Sequence, residues 1–154
     1  RELNTEIRRS AGELARLLAR IPPKRQQGSI HTGVGMEALA RYHEKTADPD
    51  AAQVLVRLAR YWAATQWNAK AGQFRYIHDE PTPAWAEMTA LNLYGLAYAC
   101  ELAPEPALKR RILEARAALP GSSPSYAKSF ACLFRSTPRA LEIIAEWERA
   151  DGVK

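Results

Sequence analysis

From Thr32 to Trp62 apolar residues return every three or four positions, and after a short polar break the spacing starts over. Leu39 and Tyr42 share a stripe in the first run. Val54, Leu55, Leu58, Ala59 and Trp62 share one in the second. This spacing predicts two helices, each with one buried face. Between them Asp48-Pro49 is a start signal. A short acidic side chain accepts from the free N–H groups of the following turn, and proline loses nothing at the first helical position. The result is a helical hairpin closed by a very short turn.

The same pattern returns about 57 residues later, from Leu96 to Leu119. Aligning the two copies sets Glu44 against Glu101 and Pro49 near Glu105 or Pro106. A weaker third copy, FRSTPRALEIIAEW, closes the chain. Before the first hairpin, Leu3, Ile7, Ala11, Leu14, Leu18 and Ile21 predict a helix over residues 2–21, ended by Pro22-Pro23. A polar loop is expected from Lys24 to Gly33, and a longer connection from Ala69 to Pro83. In that connection the alternating QFRYI predicts a brief extended segment. Thr82-Pro83, Ser123-Pro124 and Thr137-Pro138 each predict a helix start. The fold class is all-α: repeated antiparallel helical hairpins in a single domain over residues 1–154. Short turns would fall on one rim of the stack and long loops on the other, where function usually sits.

Composition agrees, with few β-branched residues and much alanine, leucine and arginine. The net charge is +5, and 16 of the 22 basic residues are arginine. They are interleaved with glutamates along the predicted helices, as in Arg139 with Glu142 and Glu146. A nucleic-acid footprint would be a clustered stripe, so no nucleic-acid partner is expected. No apolar run has the length to span a bilayer, and no signal peptide is visible. The expectation is a soluble chain, its compartment open, with a secretory or periplasmic signal lying outside it. Cys100 and Cys132 sit in apolar helical contexts and read as buried free thiols; they have no metal-ligand spacing. The glycines of Gly33-Val34-Gly35 lack the strand and the further glycine of a dinucleotide fingerprint, and read as close helix packing. No cofactor is expected.

HTGVGMEALARYHEKTADPDAAQVLVRLARYW, the following QFRY and then NLYGLAYACELAPEPALKRRI together resemble helical hairpins of α/α-toroid domains. These belong to the six-hairpin glycosidase-like fold of glycoside hydrolases and polysaccharide lyases. The glycine-rich entry, the aromatic inner helix and the acidic-proline turn carry the likeness, over residues 28–147. The resemblance implies a partial α/α toroid, since six hairpins need about twice this length. It implies an oligo- or polysaccharide partner, acidic ones included, and either the remainder of a longer chain or self-association through an open helical flank. The opening Arg1 fits a piece of a longer chain.

Within that frame the candidates lie on the long-loop rim and the inner helices. A lyase needs a base beside a carboxylate-bearing carbon and a group that neutralises the acid. Tyr76, His78 and Arg75 suit those roles. A hydrolase needs two carboxylates, about 5 Å or about 6.5–9.5 Å apart. Glu80 with Glu37 or Glu87 suits that one. The expected catalytic set is therefore His78, Tyr76 and Glu80. The expected substrate-binding set is His31, Glu37, Trp67, Trp85, Arg75 and Glu87. Plainer readings stand beside these: His31 as a cap, residues 78–80 as a solvated loop, Glu37 and Glu87 as complements of a helix dipole, and the tryptophans as core. A non-catalytic helical-repeat module that binds protein or completes a larger enzyme is the alternative function.

Overall fold

The computed structural model describes residues 29–75, 86–119, 131, 134–135 and 137–152, together with positions 5, 9 and 13. Helix α1 spans Ser29–Thr46, α2 Pro49–Gln66, α3 Ala86–Leu102, α4 Pro106–Ala117 and α5 Thr137–Ala150. Strands β1, Trp67–Asn68, and β2, Gln73–Phe74, form one small antiparallel pair with Trp67 opposite Phe74. The fold is all-α, with one short strand hairpin set into it among the described residues. Of the predicted helix over 2–21, Thr5, Arg9 and Glu13 are described and all three are helical; the starts at Thr82 and Ser123 lie outside the described residues. The polar stretch before Gly33 is shorter than its composition suggests, because α1 already begins at Ser29.

Local chemistry builds the first hairpin. Asp48 has extended backbone angles, and its Oδ1 accepts from the N–H groups of Asp50 at 2.9 Å and Ala51 at 3.5 Å. Its other oxygen takes the hydroxyl of Tyr42 at 3.0 Å, so one carboxylate caps α2 and ties it to the last turn of α1. Ala47 accepts a left-handed φ of 53°, and its N–H closes on the carbonyl of His43 at 2.8 Å. That turn reverses the chain within two residues. In the second copy, Glu105 stands at the equivalent place without a side-chain cap, and Pro106 opens α4.

The two hairpins stack in parallel. A Cβ on Gly33 would sit 3.0 Å from Leu91 Cγ, and one on Gly95 would sit 2.4 Å from Met36 Cβ. Farther along, His43 Nδ1 lies 3.0 Å from the hydroxyl of Tyr98. Residue numbers therefore rise together along α1 and α3, at an offset close to the predicted repeat. The outer helices also run in parallel, but at a smaller offset: Arg60 meets Glu105, 45 residues on, at 3.1 Å, and Arg111 donates to the carbonyl of Ala63, 48 residues back, at 2.7 Å. Of the two glycines expected to pack closely near Gly33, only Gly33 does; Gly35 has open space around it.

Helix α3 is the centre. Thirteen of its 17 residues are buried, on every face, as a helix wrapped by neighbours requires. Against it lie the buried stripes of α1 (Met36, Leu39, Ala40) and α2 (Val54, Leu55, Leu58, Trp62), with Leu108 and Ile112 of α4. Helix α5 lays Ala140, Ile143, Ile144 and Trp147 on the same core. Its contacts differ from those of a regular third repeat. It reaches Glu44 on α1, Glu101 at the end of α3, and Lys109 and Arg116 on α4, so it braces both hairpins at once. Cys100 is a buried free thiol, and burial holds it above its usual pKa; Cys132 lies outside the described residues. Among the described residues no helix is long and apolar enough to cross a membrane.

Replacing Asp48 with Ala removes the cap and the tie to Tyr42 together. It should lower unfolding free energy by roughly 1–2 kcal/mol in a denaturant titration, and an unchanged midpoint would show that the turn does not depend on this carboxylate.

Candidate functional site

Because α1 and α3 run the same way and α2 and α4 run against them, one end of the stack gathers two helix starts, two helix ends and the small hairpin. His31 stands exposed in the first turn of α1, and Glu87 is in the first turn of α3. Trp67 follows the end of α2, and Arg75 donates its backbone N–H to the carbonyl of Gln66 at 3.0 Å. Four of the expected substrate-binding residues thus share one rim. Tyr76, His78, Glu80 and Trp85 lie outside the described residues, in the connection that joins Arg75 to the start of α3.

The rim has a firm base. Asn68 folds its side chain over the turn, with Oδ1 accepting from the N–H groups of Lys70 and Ala71, and Gly72 supplies a φ of 61°. Phe74 is fully buried and gives its N–H to the Thr89 hydroxyl at 2.9 Å, which fastens the strand pair to α3. Trp67 stands half-buried and edge-on to Phe74, ring centroids 5.1 Å apart. Its indole is therefore partly committed to packing.

Glu37 is placed differently. Helix α1 starts earlier than the sequence suggests, so Glu37 lies more than two turns inside it, too deep to complement the helix start. Its side chain is 4% exposed. Arg41 donates Nε–H to one carboxylate oxygen at 2.8 Å, and Arg135 donates Nε–H to the other at 2.7 Å. Both arginine side chains stay about half exposed. Arg41 also lies over the ring of Tyr94, 5.6 Å from its centroid. Its pKa is raised, first by the hydrogen bond to Glu37.

One turn farther along, Glu44 meets Arg139 at 3.2 Å, and Arg139 also holds Glu142 at 2.7 Å. Tyr94 is fully buried, and among the described residues its hydroxyl makes no hydrogen bond of ordinary geometry, with the Glu44 carboxylate facing it. Burial first, then the Glu44 carboxylate, hold its phenol well above the ordinary range. The same two causes raise Tyr98, which pairs with His43. A polar seam therefore runs along the line where α1, α3 and the approach to α5 meet. Nothing in the periodicity marks it. The Glu37–Arg41 spacing of four residues is a legible helix pair, but Arg135 is 98 residues away from Glu37.

A groove of about 720 Å³ opens elsewhere, along the N-terminal half of α2 and against Leu102. Val56, Arg57 and Arg60 line it together with Leu102, and it contains none of the expected residues. It lies toward the short-turn end, away from the rim. Among the described residues no group of His, Cys, Asp and Glu is arranged to hold a metal ion.

Compared with known protein families, with curated proteins and with solved structures, the chain matches none.

The raised phenol has a consequence for stability against pH. A group whose folded pKa lies above its unfolded value, about 10 for tyrosine, stabilises fully below that value and loses its contribution as pH rises toward the folded pKa. Tyr94→Phe removes the ionisable group and a buried hydroxyl that lacks a well-formed hydrogen bond, while keeping the ring under Arg41. The variant should match or exceed the parent in denaturant midpoint at pH 8 and lose less between pH 10 and 11.5. Parallel losses in the two proteins would contradict this.

Proposed function

We propose that the chain is part of a carbohydrate-active α/α toroid, a lyase or hydrolase segment whose long-loop rim meets an oligo- or polysaccharide. The observation that carries this reading is the parallel stacking of the two hairpins. It collects His31, Trp67, Arg75 and Glu87 at one end, and it delivers both ends of the connection carrying Tyr76, His78 and Glu80 to that same rim. An aromatic ring beside basic and acidic side chains suits sugar recognition. The ring offers an apolar face to a sugar's C–H surface, and the polar groups fix its hydroxyls. The connection supplies the base and the acid that such chemistry needs.

A second reading, a non-catalytic module that completes a larger assembly, draws support from Phe134 and Leu141. These large apolar side chains, one just before α5 and one on it, are 57% and 39% exposed. In that reading they meet another helical surface, as open helical arrays do.

Binding to the native state alone raises the melting temperature by mass action. Acidic or neutral oligosaccharides at about 100 times Kd should add about 2.7 kcal/mol, a shift of several degrees. His31→Ala and Glu87→Ala should shrink the shift while leaving the unliganded melting temperature near that of the parent. No shift with any sugar, together with concentration-dependent association in sedimentation, would replace the first reading with the second.

A further inference from the structure

The contacts that hold α5 differ in kind from those that join the two hairpins. The hairpins meet through close apolar packing at Gly33 and Gly95 and through uncharged bonds, and among the described residues Arg60–Glu105 is the one ion pair between them. Helix α5 and its immediate flanks carry four. Arg135 meets Glu37 at 2.7 Å, Arg139 meets Glu44 at 3.2 Å, Lys109 meets Asp151 at 2.7 Å and Arg116 meets Glu148 at 3.5 Å. The Trp147 indole adds a bond to the Glu101 carboxylate. The apolar hold is narrow by comparison: α5 buries five of its 14 residues, against 13 of 17 in α3.

We propose that α5 is an ionic strap, a unit that lifts from the two hairpins as ionic strength rises while α1 to α4 stay folded. Its charges are balanced in the closed state, and the two pairs with α1 are built to part. Glu37 also accepts from Arg41 on its own helix, and Arg139 also holds Glu142 on its own helix. Lifting α5 therefore leaves the buried Glu37 carboxylate paired, and that is the charge most costly to strand. The other members, Glu44, Lys109, Arg116, Glu148 and Asp151, already reach solvent. Salt screens pairs of this exposure and leaves the apolar crossing of α1 over α3 in place. Sub-global opening of this kind falls to elements with few buried residues. The apolar stripe of Ala140, Ile143, Ile144 and Trp147 is what draws the strap back. Access to the carboxylates of Glu37 and Glu44 then follows ionic strength, whatever the rim binds.

Hydrogen exchange of the whole chain, read by mass spectrometry in about 20 mM and about 500 mM sodium chloride, tests the strap. Amides of α5 should exchange about tenfold faster at the higher salt, while those of α3 change little. Arg139→Gln should speed exchange of α5 at low salt and shrink its response to added salt. Ile144→Ala, which thins the apolar stripe, should speed α5 at both concentrations and keep the parent's salt response. The parent alone decides the matter where a variant folds poorly. Equal acceleration of α5 and α3 by salt would mean that the chain opens only as a whole, and an α5 indifferent to salt would mean that the apolar stripe holds it unaided. Either result would overturn the strap.

Discussion

The close crossing of α1 over α3 sets the spacing of everything else. At Gly95 the space that a side chain would fill is taken by Met36, and at Gly33 the neighbouring helix approaches to van der Waals contact. Glycine inside a helix costs about 0.5–1 kcal/mol against alanine. Here that cost is offset by contact between two helices along their whole buried faces. Because α1 lies so near α3, their residues advance in step. That registration carries α2 over α4 and brings the long connections to one end. A looser crossing would separate His31 from Glu87 and Arg75 as surely as it would open the core.

The charged seam follows from the same crossing. Glu37 is buried because α1 lies close on α3, and a carboxylate withdrawn from water needs partners. Arg41 comes from one turn on, but the second partner comes from the approach to α5. Glu44 and Glu101, aligned by the repeat, each hold a residue of α5: Arg139 for one and the indole of Trp147 for the other. The repeat thus supplies equivalent carboxylates, and the third unit uses both to brace the first two. This explains why α5 does not continue the regular stacking. It is fixed by ionic and polar contacts at several points as well as by its apolar stripe.

Much of the fold was legible in the sequence. The stripe of Val54, Leu55, Leu58, Ala59 and Trp62 is buried as its spacing predicts, and Asp48-Pro49 caps a helix in the manner its chemistry demands. Between α1 and α3 an offset close to the 57-residue repeat appears, though the outer helices do not keep it, and QF of the alternating patch becomes a strand. Other features escaped because they depend on the third dimension. The start of α1 at Ser29 lies in a stretch whose polarity reads as loop. Gly33 and Gly35 look alike in sequence, yet only the first faces another helix. Glu37 read as a rim residue because its helix was expected to start later. Its partner Arg135 is distant in sequence, so no local pattern joins them. The candidate rim is half legible: the toroid resemblance named His31, Trp67, Arg75 and Glu87, while only the stacking brings them to one end.

The most direct measurement compares two alanine substitutions by equilibrium denaturation. Gly35→Ala fills open space on α1, so it should gain the helix-propensity difference, about 0.5–1 kcal/mol. Gly95→Ala gains the same propensity but drives a methyl group into Met36. Overpacking of this kind costs about 1–3 kcal/mol, and the net effect should be a loss. Opposite signs at the two glycines are the result the close crossing requires. Stabilisation at both would mean that α1 and α3 do not meet at Gly95, and the registration built on that contact would fall with it.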